Sequence, residues 1–317
     1  MSKITIIGTG NVGATIAYSL TMESLASEIV LIDINQTKAE GEAMDISQSA
    51  PFNTPLNLYA GDYEDAADSD IVILTSGVAR KAGQSRLELA SINVGIVRDI
   101  APKITRYAPR AIYIIVSNPV DILTYAFIKF SGLPEKQVIG SGTMLDTARL
   151  REIVAKKMDV SARNIHAYVF GEHGDSSVFP WSVTSVIGMD FYKYCRCILN
   201  KNDEEINTFL DEVEKDVRTA GGEVIKRKGA TFFAVSACVT TIARCILSAN
   251  NSVLTVSNKV NGRYGIKEDV CLSLPYTLGP QGIVSEINPP LLPEELENLH
   301  ASARLLRQTM DGVDLLK

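Results

Sequence analysis

The stretch that most constrains this chain is Gly8-Thr9-Gly10-Asn11-Val12-Gly13, which follows the apolar run Ile4–Ile7 and opens a helix-length amphipathic segment. The three glycines suit a tight turn, close approach of backbone to a pyrophosphate, and close helix–strand packing. Free N–H groups at the start of a helix attract phosphate. A glycine-rich turn alone says little, because such turns also serve sterics. Here a second apolar run follows and reaches Asp33, 20 residues after Gly13. A carboxylate there can accept from both ribose hydroxyls and repels a 2′-phosphate, which favours NAD over NADP. The plainer alternative for Asp33 is a strand-end cap.

The same alternation continues through the first half. Ile4–Ile7, Ile29–Ile34, Leu56–Tyr59, Ile71–Leu74, Ile112–Val116 and Val138–Gly140 read as strands. They are rich in Ile and Val and mostly lack polar alternation, as in a parallel sheet covered on both faces. Helices are expected at Asn11–Met22, Gln36–Ala50, Arg86–Tyr107 and Pro119–Phe130. This is an α/β pattern, a Rossmann-type doubly wound parallel sheet. Ligands bind such sheets at the carboxyl ends of the strands. Thr75, Gly77, Val116 and Asn118 fall there and join Gly8, Gly10, Asn11, Val12, Gly13 and Asp33 as cofactor candidates.

The second half differs. Helices are expected at Thr143–Lys157, Asp203–Lys228, Gly229–Leu247 and Pro293–Thr309, and short strands at Val253–Val260 and Cys271–Thr277. Ile165–Ile187 reads as loop-rich with some strand. The expected division is therefore 1–141, a dinucleotide-binding domain, and 142–317, a mixed α+β substrate domain.

Composition removes several classes. Over 317 residues the net charge is −6, with no basic block, which argues against nucleic acid. No apolar run reaches the ~18 residues that span a bilayer, and the chain starts without a signal-peptide pattern. Five cysteines without a framework spacing fit a reducing cytoplasm. Cys195 and Cys197 stand too close for an ordinary zinc pair, so no metal is expected. No GxSxG elbow, HExxH or P-loop supports a hydrolase.

Three segments carry the remaining polar chemistry. Gly77–Arg86 holds two Arg and a Lys after a strand end, as suits a cationic lid or simply a solvated basic loop. Asp146 and Arg149 stand three apart on one helix face, as ligand groups or as a plain ion pair. Gly171-Glu172-His173-Gly174-Asp175 places a histidine between two glycines, and the chain has only three histidines: His166, His173 and His300. A lone histidine is more often structural, but this one sits in an acidic, Ser-rich stretch.

Taken together and in order, these motifs resemble the lactate/malate dehydrogenase superfamily over essentially the whole chain, most closely its bacterial L-lactate branch. The motifs are Gly8–Thr15, Asp33, the lid ending in Arg86, Val116-Ser117-Asn118-Pro119-Val120-Asp121, Leu145–Arg149 and Gly171–Asp175. The resemblance implies NAD as cofactor and a 2-keto or 2-hydroxy acid as substrate. It implies that His173 exchanges the proton, Asp146 orients it, Arg149 grips the substrate carboxylate, Arg86 stabilises developing charge and Asn118 bonds the substrate oxygen. Arg80 occupies the lid position that typically pairs with the second carboxylate of oxaloacetate. Thr231 and the Glu172 loop match the lactate branch instead. The expectation is therefore pyruvate and L-lactate, with malate dehydrogenase as the alternative. Arg151 and His166 match residues that bind fructose 1,6-bisphosphate between subunits in allosteric relatives; a surface Arg and an interface His are the alternative. The resemblance also suggests a homotetramer, or a dimer that associates on effector binding. A non-catalytic NAD-binding protein on the same fold is the competing class.

Overall fold

The computed structural model describes residues 2–52, 54–78 and 85–313. Arg80 lies outside them, as does the side chain of Arg86. The first half runs β1 (Lys3–Ile7), α1 (Asn11–Met22), β2 (Glu28–Ile32), α2 (Gln36–Ser47), β3 (Asn57–Ala60), β4 (Ile71–Leu74), α3 (Arg86–Tyr107), β5 (Ile112–Ile115), α4 (Val120–Ser131) and β6 (Val138–Gly140). These strands pair in parallel in the order β3-β2-β1-β4-β5-β6. β4 and β5 are buried at every residue, which is why their sequences carry no polar alternation. The doubly wound sheet is as expected.

The second half runs α5 (Met144–Met158), β7 (Ile165–His166), β8 (Ser185–Val186), β9 (Met189–Asp190), α6 (Phe191–Cys197), α7 (Asp203–Lys228), α8 (Phe233–Ser248), β10 (Val253–Lys259), β11 (Cys271–Gly279), β12 (Gly282–Glu286) and α9 (Pro293–Asp311). Three of these strands do not form a separate sheet. β10, β11 and β12 add antiparallel to the edge at β6, giving nine strands in one sheet among the described residues. The joint is a single pair, Ser257 with Gly140. The main apolar core consequently runs from Ile4 to Val313 across residue 141. A second core, with Val154, Phe179, Trp181, Phe191 and Val213, sits under α5, α6 and α7.

Several boundaries differ from the sequence expectation for physical reasons. α8 starts at Phe233, not Gly229, because Gly229 adopts φ +85° and ends α7. β2 stops at Ile32, because Asp33 turns its carboxylate back to the Thr9 N–H. α6 carries too few residues for a helical period to show, and β12 is mostly exposed and has no apolar run. The long charged helix α7 is as expected. Asn202 and Glu205 form its capping box, acids occupy its first turn and Lys226, Arg227 and Lys228 its last. Among the described residues, no helix is long and apolar enough to cross a membrane.

The glycine turn shows why its third member is needed. A Cβ on Gly13 would lie 1.9 Å from the Gly8 carbonyl oxygen, so α1 can pack on β1 only with glycine there. Gly13→Ala is expected to destabilise the fold by about 1–3 kcal/mol through overpacking. Thermal unfolding of the variant checks this, and an unchanged Tm would contradict it.

Candidate active site

The turn after β1 leads into the start of α1. Gly8 has φ +101°, and its N–H donates to Ile32 O at 2.7 Å. Its carbonyl accepts from Thr75 Oγ1 at 2.7 Å, which ties the turn to the end of β4. A Cβ on Gly10 would meet nothing within 4 Å, so space lies open at the start of α1. No side chain caps α1, which leaves Asn11 and Val12 in an uncapped first turn facing that space. These residues fit the pyrophosphate of NAD.

Asp33 does cap the turn. Its Oδ2 accepts from the Thr9 N–H at 2.6 Å and from Thr9 Oγ1, and its Oδ1 accepts from the Asn35 N–H at 2.9 Å. Burial pushes its pKa up, but the hydrogen bonds from Thr9 and Asn35 outweigh this and hold it below the usual value. The capping reading and the ribose reading are compatible, because a carboxylate offers about four acceptor sites. Gly77 lies close against Asn93, a buried residue absent from the sequence reading. Asn93 accepts from the Val78 N–H at 2.9 Å and donates to Asn118 O at 2.7 Å, joining the ends of β4 and β5.

Beside these strand ends lies a cavity of about 260 Å³, lined among others by Val116, Asn118, Asp146, Arg149, His173 and Thr231. His173 Nδ1 stands 2.5 Å from Asp146 Oδ2, and Arg149 Nη1 donates to Asp146 Oδ1 at 3.2 Å. Asp146 and Arg149 thus form the plain ion pair and still face the cavity. Burial disfavours a charged imidazole here, but Asp146, through its charge and hydrogen bond, and Asp121 outweigh it and raise the His173 pKa above 6.5. Burial likewise opposes ionisation of Asp146, and His173 and Arg149 reverse this and lower its pKa. Nδ1 is committed to Asp146, so Nε2 is the nitrogen left for a substrate.

Four further residues at this site escaped the sequence reading. Asp121, only 2% exposed, accepts from the His173 backbone N–H at 2.8 Å and from Ser257 Oγ at 2.5 Å. Burial pushes its carboxyl up to about 7, against those two hydrogen bonds. Gly221 on α7 lets that helix approach Arg149, since a Cβ there would sit 3.3 Å from Nη2. Arg218 lines the cavity while bonding Ser177 O at 3.0 Å and Glu214 at 3.1 Å. Cys238 also lines it, with burial holding its thiol up at about 12. Asp121 alone stood in a segment singled out from sequence, but its partners lie 52 and 136 residues on.

Arg151 and His166 do not line the cavity. Arg151 Nε donates to Ala167 O at 2.9 Å and its guanidinium lies over the Tyr168 ring, which brings it beside the strand of the exposed His166. Among the described residues, no cluster of three or more His, Cys, Asp or Glu is placed to hold a metal.

Residues 2–140 match the NAD-binding domain of the lactate/malate dehydrogenases, and residues 143–314 match their α/β C-terminal domain. The L-lactate dehydrogenase 1 of Clostridium acetobutylicum is 46% identical over 312 residues, covering 98% of each chain. An L-lactate dehydrogenase of a Thermoanaerobacter species is 45% identical over 315 residues, covering 99% of this chain and 100% of that one. Among solved structures, a minor L-lactate dehydrogenase of Enterococcus mundtii, in ligand-bound form, superposes with a TM-score of 0.94 at 38% identity. That match covers 100% of this chain and 99% of the other.

Asp121→Ala would leave the His173 N–H and the Ser257 hydroxyl without their buried acceptor. The expected cost is about 1–3 kcal/mol in denaturant unfolding. Equal unfolding midpoints for the two proteins would show that Asp121 carries no such load.

Proposed function

Because the chain belongs to the lactate/malate dehydrogenase family, an NAD-dependent group, we propose that it reduces pyruvate to L-lactate reversibly, with His173 as proton donor and acceptor. The observation that carries this reading is the convergence of His173, Asp146 and Arg149 on one cavity. Curated relatives at 43–46% identity named as L-lactate dehydrogenases support pyruvate over oxaloacetate. On this reading residues 1–141 carry the cofactor and residues 142–317 the substrate machinery.

NAD supplies the hydride chemistry when bound. The protein's part is position and charge. The Arg149 guanidinium grips the substrate carboxylate as a planar fork and orients the keto carbon. His173 delivers its Nε2 proton to the keto oxygen, and Asp146 stabilises the imidazolium before that transfer. Asn118 donates to the same oxygen. Arg86 adds a positive charge from the start of α3 as negative charge develops there. Thr231 closes the pocket around the methyl group. Ribose binding falls to Asp33.

Arg80 carries the second reading, since a guanidinium pairs better with oxaloacetate than with a methyl group. Arg151 and His166 form the proposed fructose 1,6-bisphosphate site, doubled across a subunit interface of a cytoplasmic homotetramer, or of a dimer that associates on binding it. A steady-state comparison tests these together. NADH-dependent turnover should show a higher kcat/KM for pyruvate than for oxaloacetate, and the bisphosphate should lower the pyruvate KM. A large reversed substrate ratio sinks the lactate reading, and superposed curves with and without the bisphosphate remove the effector site.

The pH dependence has a defined sign. Pyruvate reduction needs imidazolium, and the His173 pKa is raised above 6.5. Reduction should hold below that midpoint and decline as pH rises through it, while lactate oxidation rises over the same range. A reduction rate that increases with pH across this window would exclude His173 as the donor.

A further inference from the structure

The loop that carries His173 is tied down from two sides. Asp121 takes the His173 N–H from α4. The adjacent Glu172 N–H goes to Ser302 Oγ at 3.0 Å, on α9 and 130 residues away. Ser302 is fully buried. Its hydroxyl lies 3.1 Å from Ser176 Oγ, and Ser176 Oγ donates to the Glu172 carboxylate.

Proton counting sets the directions. A serine has one hydroxyl proton. Ser176 gives its own to Glu172, so Ser302 donates to Ser176. The three bonds close a ring: Glu172 N–H to Ser302, Ser302 to Ser176, Ser176 to the Glu172 carboxylate. Each hydroxyl both donates and accepts, and such chains polarise and strengthen one another. The glycines on either side make room for it. A Cβ on Gly171, at φ +84°, would lie 2.8 Å from Ser302 Oγ, and one on Gly174 would lie 3.0 Å from the Glu172 carboxyl. Next to the ring a crevice of about 290 Å³, lined by Glu214 and Arg218 of α7 and by Asn298, Ser302 and Leu305 of α9, separates the two helices.

We propose that Ser302 is a positioning residue for proton transfer: from α9 it closes a hydrogen-bonded ring that fixes the His173 loop and so holds the imidazole against Asp146. This deepens the dehydrogenase reading and rests on it for its catalytic consequence. The charged groups that act on His173 are Asp146 and Arg149 from α5 and Asp121 from α4; Arg218 of α7 and Asp175 line the same cavity, and Glu172 acts on Asp121. Opening the ring frees the loop and loosens the Asp146 contact, while Arg149 stays on its helix. The imidazolium loses support, and its titration moves down.

The 317-residue chain carries three histidines, so imidazole titrations by NMR are separable, with His173→Gln giving the assignment. In Ser302→Ala the His173 midpoint should fall by about half a unit or more. The kcat for pyruvate should drop about tenfold with the KM for NADH unchanged. Ser176→Ala opens the same ring without touching α9, and it reports should Ser302→Ala fail to fold. An unshifted His173 midpoint in a folded variant overturns the proposal. If the wild-type chain reduces no 2-keto acid while Ser302→Ala still lowers the His173 midpoint, the lactate reading fails and the hold of the ring on the imidazole stands.

Discussion

One contact organises the cavity: His173 Nδ1 against Asp146 Oδ2 at 2.5 Å. Neither group tolerates burial alone. A desolvated imidazolium loses its hydration, and an unpaired buried carboxylate loses far more. Together they stabilise each other, and Arg149 on the next helical turn shares the same carboxylate. Asp146 therefore couples the imidazole to a guanidinium, a group that pairs with carboxylates. The two cations make its burial bearable, and its charge makes theirs useful.

The antiparallel extension of the sheet supplies the frame for that contact. Ser273 on β11 exchanges backbone hydrogen bonds with Gly171, each at 2.9 Å, and its Oγ accepts from the Thr143 N–H at 2.9 Å. It thus anchors both the His173 loop and the start of α5, which carries Asp146 and Arg149. Ser257 on β10 reaches Asp121 from the neighbouring strand. The strand that joins the two halves of the sheet and the strand beside it are therefore the ones that align the polar groups. This arrangement keeps the site on rigid elements rather than on a free loop.

Much of this was legible from local pattern. The buried parallel strands declare themselves by apolar runs, the glycine turn by its spacing, and α7 by its length and heavy charge. The Asp146–Arg149 pair follows from helical geometry, because residues three apart share a face. Elements of two residues, such as β7, β8 and β9, have no period to read. The start of α8 differs from the sequence expectation because the low-polarity run continues through the turn that Gly229 opens where its positive φ ends α7. The site's polar framework was least legible, since Asn93, Asp121, Ser257 and Ser302 bond partners far along the chain.

The amino-acid sequence by itself determined the doubly wound sheet, the glycine-rich turn after its first strand and which histidine stands in a polar, glycine-flanked loop. Steric limits on backbone and the burial of apolar faces act over a few residues, so they leave a local trace. Only the tertiary structure decided that Asp146 meets His173, that Asp121 and Ser302 hold the loop between them, and that β10 to β12 continue the first sheet. Those outcomes depend on where buried polar groups find partners after the chain has crossed itself, and no short-range pattern encodes that.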